Sequence, residues 1–378
     1  MASYSLSMLW HERARYLPGV LAVAFSALLI ALQCGLLLGL FSITSIPIDH
    51  THADIWLGAP KVLSVDLGEP IDQGLFARLQ NQPEVERTEF YSQGFSYWTK
   101  PGGGRELCMI IGSNLLEDSL GRVDELNPDL RSKLSEPGSV VVDESDLERL
   151  GVKGVGSVAE IAGPGGVPRA VRIVGLTRGL KSLAGPYVFC SHATAREHLT
   201  MLDDQTTYIL AKCHNPAEAS TVVRRLRENY PDQSAFTSDE FSFRSRMHWL
   251  TKTKAGIALG YAAALGLLVG AVVTYQTLSA ATKASLREYA VLRALGIPRW
   301  RMALAVMSQS FWVGVIGVSL SLPAVYGLAF IADRLGLHVD LPWWLLLTAT
   351  GVTLTMALLS GLLALRTLRQ VEPAMLLR

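Results

Sequence analysis

Histidines and acids cluster near residue 50, where an apolar stretch gives way to polar sequence. His50 and His52 flank Thr51, and Asp49 and Asp54 lie beside them. Imidazole and carboxylate groups are metal ligands, so this cluster is a candidate metal site. Two histidines two positions apart define no coordination geometry, and a polar linker after the apolar stretch is the favoured interpretation. We therefore predict no metal site in this chain.

Other residues that could take part in catalysis lack recognisable partners. His192 and His198 are six positions apart on a predicted helix, so they do not share a face. Ser113, Ser139 and Ser145 have no evident base. The chain contains neither the G-x-S-x-G turn of a hydrolase nor the H-E-x-x-H pair of a zinc peptidase. The sequence does not predict an enzyme.

One glycine run could be taken for a phosphate-binding loop. Gly102, Gly103 and Gly104 lie between Pro101 and Arg105, but no Lys-Ser/Thr pair follows and no helix is signalled. The run is therefore predicted to be the tip of a hairpin. No G-x-x-x-x-G-K-[ST] motif occurs anywhere, so the sequence predicts no ATP site and no cofactor in this chain.

The four cysteines show no C-x-x-C spacing that would indicate zinc or redox chemistry. Cys34 lies in an apolar run and reads as a small apolar residue. Cys108, Cys190 and Cys213 lie in the polar part of the chain. A Cys190–Cys213 disulfide is one alternative if that part faces an oxidising compartment.

Hydropathy defines the elements that carry these residues. Of 378 residues 49% are hydrophobic and 18% are charged, against about 25% charged in a typical soluble domain. The charges crowd into positions 49–254, and four apolar stretches are each long enough to cross a bilayer core of about 30 Å as a helix. The first is too long for the apolar core of a signal peptide and is predicted to be a retained anchor.

The predicted divisions are a cytoplasmic amphipathic segment at 1–17, transmembrane helices at 18–43, 253–278, 303–332 and 341–365, an extracytoplasmic α+β domain at 44–252, a cytoplasmic loop at 279–302, a short external loop at 333–340 and a cytoplasmic tail at 366–378.

Basic residues predict the orientation. The loop between the second and third helices carries Lys283, Arg287, Arg293, Arg299 and Arg301, and basic residues also precede the first helix and follow the fourth. Such residues favour the cytoplasmic side, so both termini are predicted to be cytoplasmic and the large domain periplasmic. The net charge of +1 gives no basic field that would indicate nucleic acid.

Within the large domain, local patterns predict alternating strands and helices. Predicted strands lie at 62–67, 140–143, 187–190 and 207–211, with a strand pair in 157–176; predicted helices lie at 144–150, 191–202 and 216–230. Trp249 is predicted to lie in the aromatic belt at the outer end of the second transmembrane helix.

Small residues recur at helical spacing in the second transmembrane helix. The pairs Gly256/Gly260 and Gly266/Gly270 would let a neighbouring helix approach closely. The alternative is that glycine is simply common in membrane helices, and the sequence does not separate the two interpretations. The first two helices contain no Asp, Glu, His or Arg, which disfavours a proton-driven pump or an ion channel.

The loop at 280–301 is predicted to form a short amphipathic helix. Leu286, Tyr289 and Ala290 share a face, and Gly296 and Pro298 are typical of a helix end. The helix would either dock a partner or lie on the membrane surface without special function.

These residues resemble a known family. Arg287-Glu288 followed by Ala290-Val291-Leu292-Arg293-Ala294-Leu295-Gly296 resembles the R-R-E-I-G-x-L-R-A-L-G segment of FtsX/MacB-like permeases of ABC transporters. The chain end, 371–378, resembles the family's closing x-P-x-x-x-L-R, and 140–176 resembles its external core domain. Within the family, the four-span form and the segment 50–65 are most similar to DevC-type exporters. Tyr289 departs from the family, which more often has isoleucine there.

The resemblance implies the partners and the role of each element. A separate cytoplasmic ABC ATPase dimer would bind ATP and Mg, and a second copy of this chain would complete a homodimer of eight helices. The ATPase would contact the coupling helix through Arg287, Glu288, Tyr289, Leu292, Arg293, Ala294, Leu295 and Gly296. ATP-driven motion would then pass along the membrane helices to the external domain, a mechanism called mechanotransmission. A periplasmic adaptor (membrane fusion) protein, an outer-membrane channel and membrane lipid are the other implied partners, in the bacterial inner membrane.

Three alternatives stay open beside an exporter of lipid or another hydrophobic substrate. A non-transporting FtsX-like subunit would activate a cell-wall hydrolase, although its external domain is expected to be smaller than this one. A lipoprotein-releasing permease would differ in cargo and usually pairs two dissimilar permeases. A membrane-anchored periplasmic enzyme is the least favoured.

Overall fold

The computed structural model describes residues 13–284, 298–334 and 339–369. These residues form two compact units. The helical unit comprises the described parts of Met1–Leu40 and Lys254–Arg378, and the inserted domain comprises Phe41–Thr253. The predicted boundaries of the domain, 44 and 252, agree with this division to within a few residues.

The helices are, in chain order, α1 (Arg13–Ile43), α2 (Ile46–Asp49), α3 (Phe76–Gln80), α4 (Pro128–Leu134), α5 (Leu147–Leu150), α6 (His192–His198), α7 (Ala219–Asn229), α8 (Ser238–Lys252), α9 (Lys254–Ala284), α10 (Arg299–Arg334) and α11 (Trp343–Arg369). The strands are β1 (Ile55–Gly58), β2 (Ile71–Asp72), β3 (Val85–Thr99), β4 (Arg105–Ser113), β5 (Ser139–Asp143), β6 (Val158–Ala162), β7 (Pro168–Thr177), β8 (Tyr187–Ser191), β9 (Gln205–Thr206), β10 (Tyr208–Cys213) and β11 (Ser234–Thr237).

Among the described residues, four helices are long and apolar enough to cross a membrane, as the sequence predicted. Their apolar spans are Tyr16–Ile43, Lys254–Thr277, Ala303–Arg334 and Trp343–Leu362, in α1, α9, α10 and α11. An α-helix satisfies its backbone hydrogen bonds internally, which a lipid environment requires because it offers no water to the peptide groups. In the helical unit, α11 packs against both α9 and α10.

A nine-stranded mixed sheet organises the inserted domain, in the order β11-β1-β10-β3-β4-β8-β5-β7-β6. The sheet has two halves, which share the fifteen-residue strand β3. The first part of β3 pairs with β10 in one half, and the second part pairs with β4 in the other. An additional pairing of Trp98 and Thr99 in β3 with Ile161 and Glu160 in β6 closes six strands into a small barrel. Trp98, Ile161 and other buried apolar side chains fill it.

The other half of the domain has a separate apolar core built on β11, β1, β10 and the start of β3. Trp56 lies at its centre and is fully buried. Its ring centroid is 5.2 Å from that of Tyr91, 5.4 Å from Tyr208 and 5.7 Å from Phe241. Such tilted and edge-to-face aromatic contacts add to the free energy gained by burial alone.

Most local predictions in the domain are confirmed. The strands at 140–143, 187–190 and 207–211 and the strand pair in 157–176 are present, and residues 100–104 form the tip of the β3–β4 hairpin. The helix at 191–202 is shorter than predicted, because α6 ends at His198. Gly151 ends α5 with φ 68°, a left-handed conformation that glycine adopts without strain.

Two predictions are corrected by the structure. The predicted strand at 62–67 does not form; only a 3₁₀ turn, Val65–Leu67, lies in this stretch. The Cys190–Cys213 disulfide does not form either, because Cys108, Cys190 and Cys213 are all free, buried thiols. Burial raises the pKa of Cys108 to about 12, so this thiol stays protonated at neutral pH.

Candidate functional site: the junction of the inserted domain

The chain enters the inserted domain through α2 and leaves it through α8, and we call these two helices with Ser45 the junction. Pro47 lies in the first turn of α2, where its missing N–H costs no hydrogen bond. Thr237 caps α8 by accepting a hydrogen bond from the backbone N–H of Glu240, at 3.3 Å. Asp239 and Glu240 lie in the first turn, where negative charge favours a helix.

A charged network joins the two helices of the junction. The Arg246 Nε donates a hydrogen bond to Ser45 Oγ at 2.7 Å, and Arg246 also forms an ion pair with Asp49. Ser242 Oγ donates to the other Asp49 oxygen at 2.6 Å, and Ser45 Oγ donates to Asp49 at 2.6 Å. Asp49 therefore accepts from both connections, so a displacement of α8 along α2 would break several charge-assisted hydrogen bonds.

Helix α8 also holds the irregular segment 60–69. Arg244 Nε donates to the carbonyl of Val62 at 2.9 Å, and Ser245 Oγ accepts from the N–H of Val65 at 3.0 Å. Trp249 Nε1 donates to Asp66 Oδ2 at 3.1 Å. Trp249 was predicted to be a membrane-belt anchor, but its indole N–H is bonded inside the domain. Side chains of α8 thus satisfy backbone groups that a strand ladder would otherwise pair.

Asp66 is the unusual group at this site. It is only 5% exposed, and burial raises its pKa from 3.8 to about 7 although the hydrogen bond from Trp249 lowers it. One carboxylate oxygen, Oδ1, is buried without a hydrogen-bond partner. An ionised carboxylate in such surroundings is unfavourable, because burial removes its hydration and only one donor replaces it.

The two histidines near residue 50 tie α2 to the rest of the domain. His50 Nδ1 lies 2.6 Å from Glu125 Oε1, and His52 Nε2 lies 2.9 Å from Asp124 Oδ1. The hydrogen bond to Glu125 raises the pKa of His50, in opposition to partial burial. Among the described residues, no group of three or more His, Cys, Asp or Glu side chains could hold a metal ion. The interpretation as a plain linker missed these two pairs.

The predicted packing glycines of α9 have different surroundings. A Cβ on Gly270 would lie 3.2 Å from the Cβ and 3.5 Å from the Cα of Ser26, so α1 approaches closely there, whereas a Cβ on Gly266 would meet only the end of the flexible Gln33 side chain. Gly260, by contrast, has open space at the Cβ position. Gly256 lies one turn before Gly260, near the start of α9. Beside Gly270, Ser26 Oγ lies 3.1 Å from Thr274 Oγ1, a polar contact between the two helices.

The predicted coupling helix lies outside the described residues. Arg287, Glu288, Tyr289, Leu292, Arg293, Ala294, Leu295 and Gly296 all belong to the stretch 285–297, so their roles stay predictions.

Comparison with known proteins supplies a family for the C-terminal part. Residues 260–373 match the family described as FtsX-like permease C-terminal. The chain is also similar in structure to the periplasmic region of MacB from Actinobacillus actinomycetemcomitans, with 13% identity and a TM-score of 0.33, over 51% of this chain and 92% of that one. The extracellular domain of the ABC-type transporter YknZ from Gram-positive bacteria gives 10% identity and a TM-score of 0.32, over 49% and 99%. No curated protein matches the sequence.

Proposed function

We propose that this chain, whose residues 260–373 form an FtsX-like permease C-terminal domain, is the permease subunit of an ATP-driven ABC exporter. A separate cytoplasmic ATPase dimer hydrolyses ATP and moves the coupling helix at 279–302. Two copies of the chain form the membrane part, and the membrane helices carry the motion to the periplasmic domain. The cargo is a lipid or another hydrophobic substrate, which a periplasmic adaptor and an outer-membrane channel then receive.

One observation carries this proposal: an FtsX-like permease segment is combined with an inserted domain whose two connections are bonded to each other. The Asp49–Arg246 pair and the Ser242–Asp49 hydrogen bond join the segment after α1 to the helix before α9. A movement of either connection is therefore transmitted to the other, and through Trp249 to the segment 60–69. This arrangement supports a mechanical role for α1 and α9.

The composition of the membrane helices supports the same function. The apolar stretches at 19–43 and 255–277 contain no charged side chain. A hydrophilic cargo would meet no polar lining along these helices, whereas a hydrophobic cargo can reach the external domain from the outer leaflet. The basic loop at 279–302 supports a cytoplasmic location for the coupling helix and both termini.

The test is a double substitution in the coupling helix, Glu288→Ala with Arg293→Ala, in the full chain reconstituted with the ATPase encoded beside it. We expect the variant to insert and dimerise normally but to lose stimulation of ATP hydrolysis and export of cargo. A matched control, Lys283→Ala with Arg301→Ala, removes two basic charges near the helix without touching its predicted contact residues and should retain both activities.

Two results would contradict the proposal. Normal ATPase stimulation in the double variant would remove the coupling role of 279–302. Normal coupling in the wild type without movement of any lipid or hydrophobic cargo, together with recruitment of a cell-wall hydrolase, would favour the non-transporting alternative.

A further inference from the structure

A cavity of about 440 Å³ lies between the segment 60–69 and Phe95 of β3. Three large apolar side chains line it although they are substantially exposed: Leu63 at 46%, Leu67 at 45% and Phe95 at 39%. Apolar groups that converge on a concave surface are typical of small-molecule sites. The cavity is large enough for a ring with a short alkyl chain.

The segment that forms the cavity is held in place from several directions. Tyr208 donates its hydroxyl to the carbonyl of Val65 at 2.8 Å, in addition to the hydrogen bonds from α8. Tyr208 also leaves no room at Gly68, where a Cβ would lie 2.5 Å from its hydroxyl oxygen. Lys61 has a φ of 59°, a left-handed conformation that is costly for a residue with a Cβ. The backbone that frames the cavity is therefore held in place at Val65, directly before Asp66.

Asp66 contributes the one buried charged group of the lining. Its Oδ2 accepts from Trp249, whereas its Oδ1 is buried without a partner. Two other ionisable residues of the lining, Lys61 and Glu69, are solvent-exposed and opposite in sign, so their charges offset each other. The charge that remains to select a ligand is the carboxylate of Asp66, whose Oδ1 atom accepts no hydrogen bond.

We propose that this cavity binds an amphipathic amine, whose apolar body packs against Leu63, Leu67 and Phe95 and whose ammonium group donates a hydrogen bond to Asp66 Oδ1. An ammonium group supplies both the missing donor and the opposite charge, which an alcohol or a carboxylic acid does not do together. Oδ1 is buried in the empty cavity, so the ammonium group reaches it by displacing the side-chain atoms that cover it.

Binding at this site would also reach the junction. The second oxygen of Asp66 is bonded to Trp249 on α8, the helix that leads to α9. An ammonium group bound to Asp66 therefore favours the ionised carboxylate that accepts the hydrogen bond from Trp249. The inference goes beyond the proposed transport function, because ligand binding is measured in the chain alone, without ATPase or cargo export.

The test uses three probes with one apolar body: 4-(4-fluorophenyl)butan-1-amine, the matching butan-1-ol and the matching butanoate. Binding to the full chain in lipid nanodiscs at pH 8 is followed by ¹⁹F NMR, with empty nanodiscs as the baseline for partition into lipid. We expect saturable binding of the amine at least roughly tenfold tighter than that of the alcohol, and the weakest binding for the butanoate.

Substitutions locate the site. Asp66→Asn keeps an acceptor for Trp249 but removes the charge, so it should abolish the preference for the amine and leave binding of the alcohol unchanged. Glu69→Gln, the matched control, removes an exposed carboxylate of the same lining and should change amine binding less than about twofold. Phe95→Ala should weaken all three probes together.

Three results would overturn the inference: no saturable binding of any probe above the nanodisc baseline, equal affinity for amine and alcohol in the wild type, or an unchanged amine preference in Asp66→Asn. If Asp66→Asn does not fold, the probe series on the wild type and on Phe95→Ala still decides the question.

Discussion

The inserted domain and the helical unit both bury aliphatic side chains, but they differ in the other residues of their interiors. The core of the domain is built on large aromatic residues such as Trp56 and Tyr91, which are fully buried. In the helical unit, small residues such as Ser26 and Thr274 are buried, whereas Tyr261 is 70% exposed. The domain is therefore stabilised by removing apolar surface from water, and the helices by close backbone approach in lipid, where apolar exposure costs little.

The largest expected effect concerns the aromatic core. Trp56→Ala should destabilise the inserted domain by about 3–5 kcal/mol, because it removes the ring that Tyr91, Tyr208 and Phe241 all contact. The matched substitution in the helical unit, Tyr261→Ala, should change stability by less than about 0.5 kcal/mol. Urea unfolding of the full chain, followed by protease resistance of each unit, measures both. Equal losses of stability in the two variants would contradict the difference between the two units.

Asp66 is the exception within the domain, since it is a buried group that weakens the fold. Its pKa rises from 3.8 to about 7 on folding, so the folded state binds the extra proton between these values. The contribution of Asp66 to stability is therefore most favourable below pH 3.8 and falls as the pH rises through 7. Asp66→Asn should stabilise the domain at pH 8 by up to about 4 kcal/mol, with a much smaller gain at pH 5.

Thermal unfolding of wild type and Asp66→Asn at the two pH values tests this sign. Glu69→Gln serves as the control, because it removes an exposed carboxylate and retains Asp66, so its melting temperature should match that of the wild type at each pH. A gain for Asp66→Asn that is larger at pH 5 than at pH 8 would contradict the assignment.

Close packing in the helical unit gives the next effect. Gly270→Val should destabilise the unit by about 1–3 kcal/mol, because its Cβ would lie 3.2 Å from the Cβ and 3.5 Å from the Cα of Ser26, which cannot move aside without shifting the backbone. Gly260→Val places the same β-branched residue in the same helix, where the Cβ position is open, and should be nearly neutral. Unfolding of both variants in mixed micelles by SDS gives the difference. Equal changes of stability in the two variants would mean that the difference in helix propensity between glycine and valine, and not packing against α1, causes the change.

The smallest expected effect is at the junction. A double-mutant cycle with Asp49→Asn and Arg246→Gln should give a coupling energy of about 1 kcal/mol, since the pair is partly exposed to solvent. The consequence for function should exceed that for stability, so stimulation of ATP hydrolysis is measured on the same four proteins. A cycle that closes to zero in both measurements would show that the pair transmits nothing.

Sequence patterns predicted the elements that depend on local signals. The four apolar helices, the β6–β7 pair and the glycine tip of the β3–β4 hairpin are of this kind. The long strands β3 and β4 and the helix α8 were not predicted. Helix α8 is largely polar, and its buried residues, such as Phe241 and Ser245, do not form a clear apolar stripe. Its position depends on tertiary contacts.

The candidate site was hidden for a related reason. The alternation of Val62, Leu63, Val65 and Leu67 resembles a strand, but their backbone groups bond to Arg244, Ser245 and Tyr208, which are distant in sequence. No local pattern reports that a carboxylate at position 66 will be buried, because its burial depends on those same distant residues. Trp249 was predicted to be a membrane anchor from its position beside an apolar stretch. Its contact with Asp66 joins residues far apart in the sequence, so no local pattern could indicate it.

The neighbouring positions of β1 and β11 make the inserted domain a portable module. Ile55 in the first strand of the sheet is the direct partner of Thr237 in the last strand, one strand spacing away, about 4.8 Å. The helices before and after these strands, α2 and α8, are bonded to each other, so the chain enters and leaves the domain at neighbouring points. A domain whose two ends lie close together can be inserted between two helices without increasing the distance between them. By the same geometry, residues 41–253, which retain α2 and α8, could be grafted into another loop, or their ends joined by a short peptide into a circular, membrane-free protein.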